Sequence, residues 1–265
     1  MQSKVAGTFN PNILVAVVIV VLVGAVTFWV NRDDPEPEIE PVPVQTPVVQ
    51  RIEIEPLPET PPDLATEYEL QGELPAISES DAAVRAHLQL LGGLTALEWV
   101  EGDQTIRRIV VQVANIADGD LIYQQTPLQR QDTMAVLDQQ GDDVYRIDPA
   151  GYQRYDAYAD FLAGIQPDLL VAFYRYYEPL LDQAYAELGN PIGAFRGELI
   201  TAIEMILTTP VIEGDIELIQ SGEGYEFRDE ALEALPSIHK QLIRMGPENT
   251  RKIQTVLRAF RDRIS

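Results

Sequence analysis

The chain has 265 residues, 42 acidic against 19 basic side chains, a formal charge of −23, and no cysteine. That charge repels phosphate and argues against nucleic acid as a partner. The missing cysteine excludes a disulfide framework, a catalytic thiolate and a thiolate metal site, and it is compatible with an oxidising compartment.

Residues 1–12 form a short leader, and Ile13 to Val30 follow as eighteen residues without a charge. As a helix this run would rise about 27 Å, close to the roughly 30 Å of a bilayer core. A cleaved signal peptide is the competing reading, with Val23-Gly24-Ala25 as a weak site. The apolar run continues through Val26 to Val30, and Phe28 and Trp29 lie where an aromatic belt meets headgroups, so a retained transmembrane helix over 13–30 is expected. Lys4 and Arg32 flank the two ends and nearly balance. The short leader and the absence of cysteine favour a single-pass inner-membrane protein with its folded part exported, in the periplasm.

Residues 31–75 hold ten of the nineteen prolines and twelve carboxylates, with Arg32 and Arg51 as the only cations. Such a stretch cannot offset its ordering entropy, so a disordered linker is expected, stretched toward polyproline II to about 120–140 Å. A plain spacer is the simple reading; a docking strip for an aromatic groove is the sharper one.

Residues 76–265 suffice for one soluble domain with a real core. Ile106, Ile109, Val110 and Val113 follow the spacing of a buried helix face. Asp148-Pro149 reads as a helix start leading toward Leu162. A longer helix runs from near Pro167 to Leu188, where Pro179 is expected to kink or break it, and Pro191 is expected to start another carrying Phe195, Leu199, Ile203 and Ile206. Two short hairpins are expected, one pairing 133–137 with 144–147 and one pairing 216–220 with 225–227. The fold class is therefore α+β, mainly α-helical, without a parallel sheet.

Ser237 to Met245 reads as a short helix stopped by Gly246, and the last helix carries Ile253, Val256, Leu257, Phe260 and Ile264 on one stripe. Arg251, Lys252, Arg258, Arg261 and Arg263 surround that stripe. From residue 240 onward seven cations face two anions, a balance of +5, whereas residues 76–239 hold nine cations and twenty-eight anions, a balance of −19. A basic helix packed on an acidic body is the expectation; binding of anionic lipid or glycan is the functional alternative.

The runs Tyr152-Gln153-Arg154-Tyr155-Asp156, Phe173-Tyr174-Arg175-Tyr176-Tyr177-Glu178-Pro179-Leu180, Ala184-Tyr185-Ala186-Glu187-Leu188-Gly189 and His239-Lys240-Gln241-Leu242-Ile243-Arg244-Met245-Gly246-Pro247 stand in this order. In them the chain resembles a bacterial family known as domain of unknown function 3014. The resemblance covers most of residues 70–265 and implies one N-terminal span, a proline-rich linker and this one soluble domain. It implies no activity, cofactor or catalytic residue.

Chemistry is sparse. The only histidines, His87 and His239, have no serine elbow to serve, and neither a zinc motif nor a calcium loop nor a glycine-rich phosphate cradle occurs. No cofactor or metal is expected. Paired carboxylates remain: Glu213, Asp215 and Glu217 alternate on an expected strand, and Glu178, Asp182 and Glu198 lie near tyrosines, which leaves open a carboxylate-dependent glycan hydrolase. Eight of eleven tyrosines fall between Tyr145 and Tyr185. Helix-packing core is one reading of them. The other is an interaction surface formed by Tyr152, Arg154, Tyr155, Tyr158, Tyr174, Arg175 and Tyr176, from which Tyr155→Ala or Tyr176→Ala should weaken partner capture without unfolding. A non-catalytic membrane-anchored scaffold or adaptor of the cell envelope, with an envelope protein as partner, is the leading expectation. A peptidoglycan-directed binder or hydrolase and a tethered periplasmic chaperone are the alternatives.

Overall fold

The structure is a computed structural model that describes residues 73–87, 103–122, 137–141, 143–221 and 224–265. The expected leader, span and nearly all of the linker lie outside the described residues. Among the described residues no helix is long and apolar enough to cross a membrane.

The body starts inside the stretch whose composition reads as linker. Leu74 packs against the core, a 3-10 turn spans Ile77–Glu79, and helix α1 covers residues 80–87. Helix α2 (Thr105–Ala117) begins after Gln104, whose φ of +61° turns the chain sharply. Its first amides are capped from α1: the Asp81 carboxylate accepts from the N–H groups of Gln104 at 2.7 Å and Thr105 at 2.8 Å. Burial would push this carboxyl up, yet the two amide hydrogen bonds outweigh it and hold the Asp81 pKa below its ordinary value.

The expected stripe of α2 is buried, Ile106, Ile109, Val110 and Val113 being at most 2% exposed, and Ile116 extends it. Gln112 is fully buried among them, and among the described residues neither its amide nitrogen nor its oxygen has a partner. An orphaned buried amide costs about 1–3 kcal/mol. Gln112→Leu, close in size, should therefore raise the thermal midpoint, at roughly 2–4 °C per kcal/mol for a domain of this length. A lowered midpoint in a calorimetric scan would mean that the amide is hydrogen-bonded after all.

Strands β1 (Leu137–Gly141), β2 (Val144–Ile147), β3 (Glu217–Ser221) and β4 (Gly224–Phe227) pair antiparallel in that order. The two expected hairpins are thus one sheet, because Val144, Tyr145 and Arg146 of β2 pair with Ile219, Leu218 and Glu217 of β3. The expected start of the first strand at 133–136 lies outside the described residues. Cross-strand neighbours Tyr145, Leu218 and Phe227 share one face, where Ile147, Leu218, Phe227 and Ile243 form a small second core. The opposite face carries Asp138, Arg146 and Glu217.

Asp148 accepts the Ala150 N–H at 2.8 Å and opens a 3-10 segment, Pro149–Tyr155, that continues as α3 (Asp156–Gly164). Helix α4 (Pro167–Glu187) continues through Pro179, so of the kink or break expected there the break does not occur. Pro179 is exposed, so the carbonyl it leaves without its amide partner is on the wetted side, while Leu180 and Leu181 beside it are buried. Helix α5 (Phe195–Leu207) begins four residues after Pro191, where Asp182 accepts the Phe195 N–H at 3.2 Å. A short α6 (Glu230–Glu233), α7 (Ser237–Arg244) and α8 (Pro247–Ile264) complete the body. Helix α8 is central: α3, α4, α5 and α7 all pack on it, and its stripe Ile253, Val256, Leu257, Phe260 and Ile264 is buried as expected.

Candidate functional site

The tyrosine-rich segments carry two readings, packed core or interaction surface, and the helical period decides which way each side chain faces. On α4, Tyr174 and Tyr177 fall in register with Leu170, Phe173, Leu181 and Ala184, and they are 1% and 0% exposed. Tyr155 and Tyr158 share the inner side of the preceding turn and are each 2% exposed. These tyrosines are core, not surface. Tyr152, Arg154 and Tyr176 are partly covered, and Arg175 alone of the seven expected surface residues is exposed.

The hydroxyls of Tyr155, Tyr174 and Tyr177 have partners that let them tolerate burial. The Tyr174 hydroxyl donates to Glu178 Oε1 at 2.7 Å, and Arg196 donates to the same oxygen at 3.0 Å. Burial, reinforced by the Glu178 hydrogen bond, drives the Tyr174 pKa far above the ordinary phenol value. Gln241 donates to the Tyr155 hydroxyl at 3.4 Å, and the Arg154 guanidinium lies 4.5 Å from the Tyr155 ring centre. The Tyr152 ring rests on Gly246. Asn249 donates to the Tyr152 carbonyl at 3.3 Å and to Asp156 Oδ1 at 2.9 Å. Tyr177 meets His87 Nδ1 at 2.6 Å.

The basic helix is tied to the acidic body by ion pairs. Lys252 meets Asp160 of α3 at 2.6 Å, Arg261 meets Glu204 of α5 at 2.6 Å, Arg263 meets Asp168 of α4 at 2.7 Å, and Arg251 pairs with Glu213. Surface pairs of this type add little stability each, but four pairs to four separate places fix the register of α8. Arg258 is exposed and makes no ion pair among the described residues. The positive charge is therefore largely neutralised within the body, which weakens α8 as a surface for anionic lipid or glycan.

The carboxylates considered for catalysis are likewise engaged: Glu178 with Tyr174 and Arg196, and Glu213 with Arg251. An open cleft of about 430 Å³ lies where β3 begins and β4 ends, floored by Ile212, Ile216 and Leu232. Its charged rim is internally paired. Arg228 holds Glu217 at 2.8 Å, Arg146 holds Asp215 at 2.6 Å, and Asp229 caps the amides of Ala231 and Leu232. Among the described residues no group of three or more His, Asp or Glu side chains is placed to hold a metal ion. His239 donates from Nε2 to the Met205 carbonyl at 2.7 Å, an ordinary packing role.

A sequence profile described as protein of unknown function, DUF3014, matches residues 105–261. The chain belongs to that family. No curated protein and no solved structure matches it. Within the DUF3014 region the runs that carry the resemblance hold the body together. Gln241 and Gly246 of α7 and its C-terminal turn meet Tyr155 and Tyr152, and Lys240 holds Glu233 at 2.5 Å. Asp81 and His87 precede the matched region. Neither had a sequence signal, because each acts on a residue more than twenty positions away.

Proposed function

We propose that this DUF3014 chain is a membrane-tethered, non-catalytic interaction module of the bacterial cell envelope. In this reading residues 13–30 span the inner membrane, the acidic proline-rich stretch is the tether, and the body reaches a protein partner in the periplasm. The observation that carries the reading is the order of the three segments: an uncharged run of eighteen residues, a stretch that cannot order itself, and a body with its own core. The partner surface is assigned to the outer side of α4 around Arg175, which is exposed beside half-covered Tyr176. The Tyr176 hydroxyl donates to the Glu73 carbonyl at 3.3 Å, so this surface adjoins the root of the tether.

A photo-crosslinking residue placed at Arg175 of the full chain in living cells tests the reading, with Arg258 on α8 as the comparison position. One dominant envelope protein trapped from position 175 and not from 258 is the expected outcome. Diffuse products from both positions would overturn the scaffold reading, and sedimentation with cell-wall sacculi would then move the assignment to a peptidoglycan binder.

A further inference from the structure

We infer that residues 73–87 are a strap that acid releases from the body, with His87 as its catch. The strap lies wholly ahead of the DUF3014 region, and it joins the expected tether to α2 and α4. Leu74 packs on the core and the Glu73 carbonyl accepts from Tyr176 at its near end, and three further contacts follow along it. Ile77 and Val84 are buried, at 9% and 0% exposure. Asp81 caps α2. His87 closes the far end, its ring edge-on to Tyr176 at 5.2 Å and to Tyr177 at 5.7 Å, with Nδ1 against the Tyr177 hydroxyl at 2.6 Å.

The chemistry of that last contact makes it conditional. Tyr177 is fully buried, and among the described residues His87 is the partner of its hydroxyl. A neutral imidazole with its proton on Nε2 accepts a hydrogen bond from the phenol at Nδ1. A protonated ring carries N–H there instead and forces the phenol to turn its own proton toward apolar packing. Among the described residues the charged and titratable groups near the ring offer no compensation. From α4 they are Tyr176 and Tyr177. On the strap itself Asp81 lies nearly two turns back, engaged by the α2 amides with Arg85 beside it, and Glu73 reaches Tyr176 only through its backbone carbonyl.

Burial accordingly pushes the His87 pKa below its ordinary value of 6.5. A released strap takes up its proton near 6.5, whereas the closed strap resists it. Closure is thus fully supported above pH 6.5 and weakens as pH falls from there toward the lower folded value. Within that window the opening constant grows by up to about tenfold per pH unit. The Asp81 cap, a carboxylate held low, stays ionised across the same range, so the response belongs to His87.

Hydrogen–deuterium exchange of the full chain at pH 7.5 and 5.5, expressed as protection factors, reads the strap directly. Amides of 77–87 should lose several-fold to about tenfold of their protection at the lower pH while those of α8 hold. His87→Gln, which keeps a polar side chain but does not titrate, should remove the pH dependence. Equal protection at both pH values in the wild type, or the same fall in His87→Gln, would overturn the proposal. Should His87→Gln detach the strap at every pH, an NMR titration of the wild-type imidazole decides: a pKa below 6.5 supports the catch, and one at or above 6.5 overturns it.

Discussion

Gly246→Ala is expected to lower the stability of the body by about 4 kcal/mol, on the order of 10 °C in thermal midpoint for a domain of this length. Two costs add at this position. Gly246 has φ +91° and ψ 159°, a backbone region essentially reserved for glycine, where another residue costs of order 1–3 kcal/mol. A Cβ there would also stand 2.6 Å from Cγ of Tyr152 and 2.8 Å from Cδ2. Those atoms are the root of the ring rather than its free end, so the whole 3-10 segment Pro149–Tyr155 must shift, an overpacking cost of roughly 1–3 kcal/mol. Gly189 separates the two effects. Its φ is +93° but nothing lies within 4 Å of a Cβ, so Gly189→Ala should show the backbone cost alone. If both alanine variants lose the same stability, the Tyr152 contact carries no weight. In the double variant Tyr152→Ala, Gly246→Ala, the steric part should vanish.

The local grammar of this chain was legible where neighbouring residues decide the structure. The stripes of α2 and α8, the Asp148-Pro149 start and the Gly246-Pro247 joint all came from spacings within one or two turns. The opposed charges of the C-terminal segment and the rest of the body likewise foretold the ion pairs of α8 with Asp160, Asp168, Glu204 and Glu213. Long-range pairing was not legible. Strand β2 joins β3 across more than seventy residues, so two expected hairpins became one sheet. The cap that Asp81 gives α2 has no local signature, because Gln104, at the cap position itself, forms no side-chain cap. The tyrosines are a different case. Their density along the sequence left two readings, core packing and an interaction surface, and the packing reading holds for Tyr155, Tyr158, Tyr174 and Tyr177. Density alone does not separate the two; the 3.6-residue period, which puts Tyr174 and Tyr177 in phase with Phe173 and Leu181, does. Pro179 failed as a breaker for a related reason: on an exposed helix face its missing amide leaves a carbonyl that water can satisfy.

Tyr155→Ala should unfold rather than merely disarm the body, reversing what a surface tyrosine would do. The side chain is 2% exposed, so truncation removes a full ring from packed surroundings and leaves a cavity, a loss of roughly 3–5 kcal/mol. It also removes the acceptor of the Gln241 amide and the ring beneath the Arg154 guanidinium. Tyr155→Phe keeps the ring and drops only the hydroxyl, and should cost about 1 kcal/mol. Arg175→Ala, at an exposed position, should leave the midpoint within about 0.5 kcal/mol of wild type while reducing capture of the partner. The informative comparison is therefore between stability and capture in the same pair of variants. A Tyr155→Ala chain that melts as wild type yet loses its partner would place this ring at an interface and refute its role in the core. An Arg175→Ala chain that both folds and captures normally would remove the outer face of α4 from the proposed contact and leave the tethered body to be probed elsewhere on its surface.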